Sequence, residues 1–383
     1  MSLRVLIAVT HLLGAGHLTR AAAIGRALAA AGHEVTLVSG GRPTAILSEG
    51  GFRLVQLPPV QARVGEFTTL RDADGREIGA DYLAGRRDLL LATLRESAPD
   101  ILVTELFPFG RRVLASEFMA LLEAAHALRP RPLVVSSVRD ILAAPSGPEK
   151  LARTHDLLAR LYDAVLVHGD PALAPLEASW PARGGIGAPI LYTGYVDTEP
   201  RGTASPPATD EILVSGGSSA AGLPLYRAAL AAARLMPDRP WRILVGRGIS
   251  EADNAALDRD RPDNVRLEPA RPDFRELMAA SALFVGQAGY NTVLDLLAAR
   301  PRAVLVPFEQ GNETEQRLRA KMLAEKGIAI VLPEAELNGD SLARAVRAAL
   351  TRPRPDDIGI TRDGAGRTAE ILARLAQGES PAG

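Results

Sequence analysis

The chain has 383 residues, with 44 Lys and Arg against 45 Asp and Glu and a net charge of −1. That length suits two domains of about 100–200 residues each. The charge balance excludes a nucleic-acid binder held by a basic face, and the absence of cysteine excludes disulfides, thiolate catalysis and cysteine-ligated zinc. No apolar run reaches the ~18 residues of a membrane span. Residues 1–4 lead straight into a strand-like stretch rather than a signal peptide, so the expected location is cytoplasmic.

In chain order, residues 4–9 (RVLIAV) fit a buried parallel strand. Gly14-Ala15-Gly16-His17 breaks it, 18–31 read as a helix stopped by Gly32, and 34–39 (EVTLVS) as the next strand. Together they make a βαβ unit. Further strands are expected at 53–56, 100–104, 133–137, 164–168 and 190–193. Residues 58–85 interrupt the pattern as a long insertion without helical periodicity. Within it 67–70, Asp74-Gly75 and 76–78 suit a small hairpin, and insertions of this kind serve as binding loops or lids. Residues 200–207 (PRGTASPP) read as a linker. The pattern then restarts with a strand at 211–215, a turn at 216–219 and a helix at 223–235. Strands at 242–245, 265–267, 283–285 and 303–306 follow, and 364–376 has helical spacing. The expected organisation is α/β: a domain over 1–199, the linker, a second domain over 208–360, and a C-terminal helix and tail over 361–383. Two doubly wound domains would face each other across a cleft.

Ligands in open α/β sheets bind at the carboxyl ends of the strands, so the chemistry is sought there. His17 falls in the first turn of the first helix, whose dipole keeps an imidazole neutral. A neutral imidazole can act as general base toward a hydroxyl, or it can merely pack. His11 and Arg20 share this region. Ser215-Gly216-Gly217-Ser218-Ser219 repeats the geometry in the second half, either as a phosphate-holding turn or as a tight turn alone. Gly289, Tyr290, Asn291 and Thr292 open another helix, with Asp295 three residues beyond Thr292. That acid either completes a capping box or accepts from ribose hydroxyls. Residues 307–316 (PFEQGNETEQ) concentrate hydrogen-bonding groups suited to a polyhydroxylated ligand. Glu105, Arg111, Arg112, Arg139 and Asp140 lie on two further strand-end loops. Glu105 or Asp140 could orient His17 or replace it as base, and the arginines could grip an anionic acceptor; surface salt bridges are the plainer reading. Asp72-Ala73-Asp74 and Asp258-Arg259-Asp260 match a short metal-binding pattern that arises readily by chance.

These motifs resemble those of GT-B glycosyltransferases, in the branch of the bacterial cell-wall transferases that add N-acetylglucosamine to a lipid-linked precursor (glycosyltransferase family 28). Gly14–His17, Gly216–Ser218, and Ala288 to Thr292 with Asp295 and the strand and Pro307 that follow match the order of the family's motifs. The family's sugar-contacting Gln corresponds to Gln316. Three positions depart: Asp295 stands for a common Glu, Gln287 for an Arg, and Arg319 for an Asn. The resemblance implies a nucleotide-sugar donor, taken as UDP-linked, on the second domain. Gly216, Gly217, Ser218, Gly289, Tyr290, Asn291, Thr292, Asp295, Glu315 and Gln316 would hold it. It further implies metal-independent inverting transfer with no cofactor, His17 or an acid near it (Glu105 or Asp140) as base, and an acceptor on the first domain. The 58–85 and 105–112 stretches do not match the lipid-acceptor enzymes, so their acceptor is not carried over; His11, Arg20, Arg111, Arg112 and Arg139 are acceptor-binding candidates from their place at the strand ends. A nucleotide-sugar hydrolase and a catalytically silent sensor are the alternatives.

Overall fold

The computed structural model describes residues 2–12, 14–44, 50–63, 66–182, 184–198, 207–310 and 314–379. The expected linker lies outside them except for Pro207, as do Gly311, Asn312 and Glu313 of the 307–316 loop. The chain divides into two units, residues 1–198 with 361–383, and residues 199–360.

The first unit opens with β1 (Arg4–Val9), α1 (Gly16–Ala30), β2 (Glu34–Ser39) and β3 (Arg53–Gln56). The insertion holds β4 (Gln61–Arg63) and β5 (Glu66–Arg71), paired antiparallel. Asp72–Gly75 then turns the chain so that Arg71 bridges Glu77. The expected hairpin is present, with an extra strand on its other side. The insertion also contains the start of α2 (Ala80–Ser97), which the sequence reading missed. Then follow β6 (Ile101–Glu105), α3 (Ala115–Ala127), β7 (Leu133–Arg139), α4 (Pro148–Leu161), β8 (Ala164–His168) and β9 (Ile190–Tyr192). The parallel sheet runs β3-β2-β1-β6-β7-β8-β9.

Period-two alternation gives the sheet two apolar faces. Leu6, Val38, Leu102, Val134 and Val165 pack against α2, α3 and α4. Val5, Ile7, Val35, Ile101, Val103, Val135, Ala164 and Leu166 pack against Leu18, Ala21, Ile24 and Leu28 of α1.

The second unit has β10 (Ile212–Ser215), α5 (Leu223–Arg234), β11 (Trp241–Val245), α6 (Glu251–Arg259), β12 (Val265–Pro269), α7 (Phe274–Ala280), β13 (Leu283–Gly286), α8 (Tyr290–Ala299), β14 (Ala303–Leu305), α9 (Glu315–Glu325), β15 (Ile330–Val331) and α10 (Gly339–Leu350). Its parallel sheet runs β12-β11-β10-β13-β14-β15. The last helix, α11 (Gly364–Ala376), returns to the first unit, where Ala369 and Leu372 join the core beside α1.

Each sheet reverses its strand order once, between β1 and β6 and between β10 and β13. Loops leaving such neighbours go to opposite faces and leave a crevice at the carboxyl ends. His17 opens α1 just after β1 and Glu105 ends β6; Gly216–Ser218 follow β10, and Gly289–Thr292 open α8 just after β13.

Candidate functional site

In the first unit, α1 begins at Gly16 without a side-chain cap, which puts His17 in its first turn. Glu105 ends β6 on the same sheet face as Ile101 and Val103, the face α1 covers. His17 Nδ1 therefore lies 2.9 Å from Glu105 Oε1. Arg20, one turn along α1, donates from Nη2 to the same oxygen, and the Ser137 hydroxyl donates to Oε2 at 2.5 Å.

Burial alone would raise the Glu105 carboxyl. The charge of Arg20, the hydrogen bond and charge of His17, and the Ser137 hydroxyl outweigh it and hold the group below the ordinary carboxylate range. An ionised carboxylate only accepts, so Nδ1 carries the proton and the Nε2 lone pair is left open. Burial pushes the His17 imidazole down to about 3, helped by Arg20 and opposed by Glu105. His17 is thus neutral at pH 7 as expected, though by desolvation rather than the helix dipole. Its side chain keeps 16% exposure.

Several expectations are corrected here. Glu105 is buried and held as an anion against His17 and Arg20, a placement suited to orienting His17 and not to meeting an acceptor hydroxyl itself. Asp140 is fully buried and accepts from the Tyr195 hydroxyl at 3.2 Å, out of reach of an acceptor hydroxyl. Arg20 is 5% exposed and turned to Glu105, a placement that suits fixing that carboxylate better than gripping an acceptor. His11 is 3% exposed, with Gly41 packed against its ring. Arg111, Arg112 and Arg139 keep surface. Arg111 donates from Nε to the Thr10 carbonyl at 2.5 Å. Burial lowers its guanidinium to about 10, with Glu105 opposing and the like charges of Arg139 and Arg20 adding. It stays cationic at pH 7.

In the second unit, Gly289 caps α8 without a side-chain hydrogen bond. The N–H groups of Tyr290, Asn291 and Thr292 have no acceptor inside the helix and carry the positive end of its dipole. Thr292 and Asp295 form no capping box. Asp295 Oδ1 instead accepts from Arg275 Nε of α7 at 2.9 Å. Arg275 is a site neighbour that no sequence motif marked.

Gln316, near the start of α9, accepts at Oε1 from the N–H groups of Ala288 and Phe308, both at 3.1 Å. Its oxygen is thereby fixed and its amide NH₂ points away from both. Arg319 is buried, donates to the Ala288 carbonyl at 2.9 Å and lies over the Tyr290 ring at 6.0 Å. Gln287 donates to the Ala221 carbonyl at 3.1 Å. Two of the three departures from the family pattern thus brace the loops after β10 and β13. Glu315 is 8% exposed at the first position of α9, a placement that favours support over ligand contact.

The Ser215–Ser219 turn differs from expectation. A 3₁₀ turn at Ala220–Gly222 separates it from α5, whose second residue, Pro224, has no N–H to offer. The Gly216 N–H donates to the Tyr226 hydroxyl at 3.1 Å. A Cβ at Gly216 would lie 2.6 Å from Gly222 Cα, so close backbone packing requires this glycine. Gly217 (φ +74°) and Ser218 remain exposed.

Both short acidic patterns have local uses. Asp72 Oδ1 accepts from the N–H groups of Asp74 and Arg76, while Asp258 and Asp260 pair with Arg261 and Arg234.

Comparison with solved structures settles the fold. The chain superposes on CalG4, the calicheamicin glycosyltransferase, with a TM-score of 0.64 over 99% of this chain and 98% of that one, at 18% identity. It superposes on Acinetobacter baumannii MurG with a TM-score of 0.64 over 97% and 99%, also at 18% identity. Two Rossmann-like halves with ligand loops at their switch points define a GT-B fold. The model of the glycosyltransferase family 28 C-terminal domain matches residues 211–357. Among curated relatives, the Chromobacterium violaceum UDP-N-acetylglucosamine–N-acetylmuramyl-(pentapeptide) pyrophosphoryl-undecaprenol N-acetylglucosamine transferase is 30% identical over 70% of this chain and 79% of its own length. The protein of the same name from Phenylobacterium zucineum is 27% identical over 95% and 96%. That from Bacillus licheniformis is 31% identical over 35% of this chain, and the match spans only 37% of that protein. The chain belongs to glycosyltransferase family 28 and is a glycosyltransferase. Among the described residues no helix is long and apolar enough to cross a membrane.

Proposed function

We propose that this protein moves a sugar from a UDP-linked donor to a hydroxyl of an anionic acceptor, with inversion and without a metal ion, in the cytoplasm. The second unit holds the donor and the first the acceptor. The observation that carries the reading is the His17–Glu105 pair, a neutral imidazole with its Nε2 lone pair open at the switch point of a sheet. His17 Nε2 takes the acceptor's proton as its oxygen bonds to the anomeric carbon, and the nucleoside diphosphate leaves from the opposite face. The uncapped start of α8 and the exposed Gly217–Ser218 turn would take up the charge on the departing diphosphate. The Gln316 NH₂ would donate to a sugar oxygen. Arg111, Arg112 and Arg139 would bind a phosphate or carboxylate on the acceptor.

The relatives' names supply the first donor to try, UDP-N-acetylglucosamine. The protein is incubated with a panel of UDP- and dTDP-sugars, with and without chelator and cell extract, and free nucleoside diphosphate and glycosylated product are followed. Release from a UDP-sugar that persists in chelator and is accelerated by extract supports the reading. Loss of release in chelator would overturn the metal-free mechanism. Rapid release to water that no extract diverts would make the protein a hydrolase.

A further inference from the structure

Behind the His17–Glu105 pair, polar side chains run along one face of the first sheet. On β6 the residues facing α1 are Ile101, Val103 and Glu105; on β7 Val135 and then Ser137; on β8 Ala164, Leu166 and His168. Each strand is apolar on this face until its carboxyl end and then turns polar. Thr193, directly after β9, continues the row.

The row is hydrogen-bonded throughout. Ser137 Oγ lies 2.5 Å from Glu105 Oε2 and 2.9 Å from His168 Nε2, and His168 Nδ1 lies 2.8 Å from Thr193 Oγ1. Ser137, His168 and Thr193 are each no more than 1% exposed.

A serine hydroxyl has one proton. At 2.5 Å from an anionic oxygen that proton belongs to the bond with Glu105. His168 must then donate from Nε2 to Ser137 Oγ, and, as a neutral ring, its Nδ1 accepts from Thr193, whose hydroxyl also lies 2.9 Å from the Gly194 carbonyl. Burial and the Arg20 charge lower His168 to about 3 against the pull of Glu105, so this neutral tautomer is held at working pH.

We infer that Ser137, His168 and Thr193 are positioning residues for transfer: they fix the Glu105 carboxylate, which in turn fixes the His17 tautomer with Nε2 open to the acceptor. The inference rests on His17 being the base. Buried polar networks of this kind are costly unless every member is satisfied, and an apolar row would pack the same space without that requirement.

The test uses the full-length protein. In Ser137→Ala, Glu105 loses a donor and becomes more basic. Turnover should fall about ten- to a hundredfold with little change in donor KM. The acid limb of kcat/KM should move up by roughly one to two pH units. Ser137→Thr keeps a hydroxyl and should restore both. His168→Asn should lower turnover less, because the Ser137 hydroxyl still reaches Glu105. The imidazole ¹⁵N shifts of His17, read on the unliganded protein, should report Nδ1–H in wild type and a displaced Nδ1 resonance in Ser137→Ala, as the carboxylate it donates to changes basicity. A Ser137→Ala protein with wild-type turnover, pH limb and ¹⁵N shifts would overturn the inference. So would a turnover loss with no change in limb or ¹⁵N shift, which marks a purely structural effect. If His17→Ala itself stays active, the base assignment fails instead, and the two failures are told apart.

Discussion

Nδ1 of His17 is committed to Glu105, so proton uptake by this side chain must occur at Nε2. Replacing His17 with Ala should lower turnover by about 10²–10⁴ while donor affinity stays nearly constant. The pH profile sharpens the test. An ordinary histidine base loses activity around a pKa of about 6.5; His17, lowered to about 3, should hold kcat/KM level from pH 7 to about pH 5. A fall centred near 6.5 would mean that His17 is neither buried nor coupled as described. Stability follows the same sign. The unfolded chain protonates His17 and His168 below about pH 6.5 and the folded one does not, so acidification favours the unfolded state from there downward.

At the scale of elements, the second site depends on how loops are tied to helices. Gln316 clamps the loop after β13 to the loop after β14 through one oxygen, and its amide nitrogen is what it can present to a sugar. Gln316→Glu separates these jobs, because a carboxylate accepts the same two N–H bonds and has no NH₂ to donate. The melting temperature should stay in place while nucleotide-sugar binding, measured by calorimetry, weakens about tenfold or more. Unchanged binding would confine Gln316 to loop support. Asp295 is set by a neighbouring element in the same way: Arg275 on α7 donates to its Oδ1 and fixes the carboxylate.

At the scale of the whole molecule, the last helix belongs to the first unit. Leu372 of α11 is fully buried in the core beside α1, the helix that carries His17 and Arg20. Leu372→Ala should therefore cost about 2–5 kcal/mol, seen in urea as a loss confined to the first unit while nucleotide binding by the second survives. A single unshifted transition would show that α11 contributes little to the unit it packs on.

Parallel strands covered on both faces are written as short apolar runs, which is why most of these strands, and the Gly-rich loops at their ends, were legible in the chain alone. The exceptions are physical. Strand β15 is two residues long, and α2 carries polar residues and Gly85 through its first turns, which blurs its period. The sequence by itself determined the two α/β halves and the switch-point loops, and it singled out His17 as a candidate. It could not pair His17 with Glu105, 88 positions away, bury Arg20, His11 and Asp140, or hand Asp295 to Arg275. Those outcomes depend on which strand ends adjoin and which face a helix covers. They are relations between distant segments, and only the packed sheet, by setting burial and neighbouring charge, decides whether a side chain there is a base, an orienting anion or a brace.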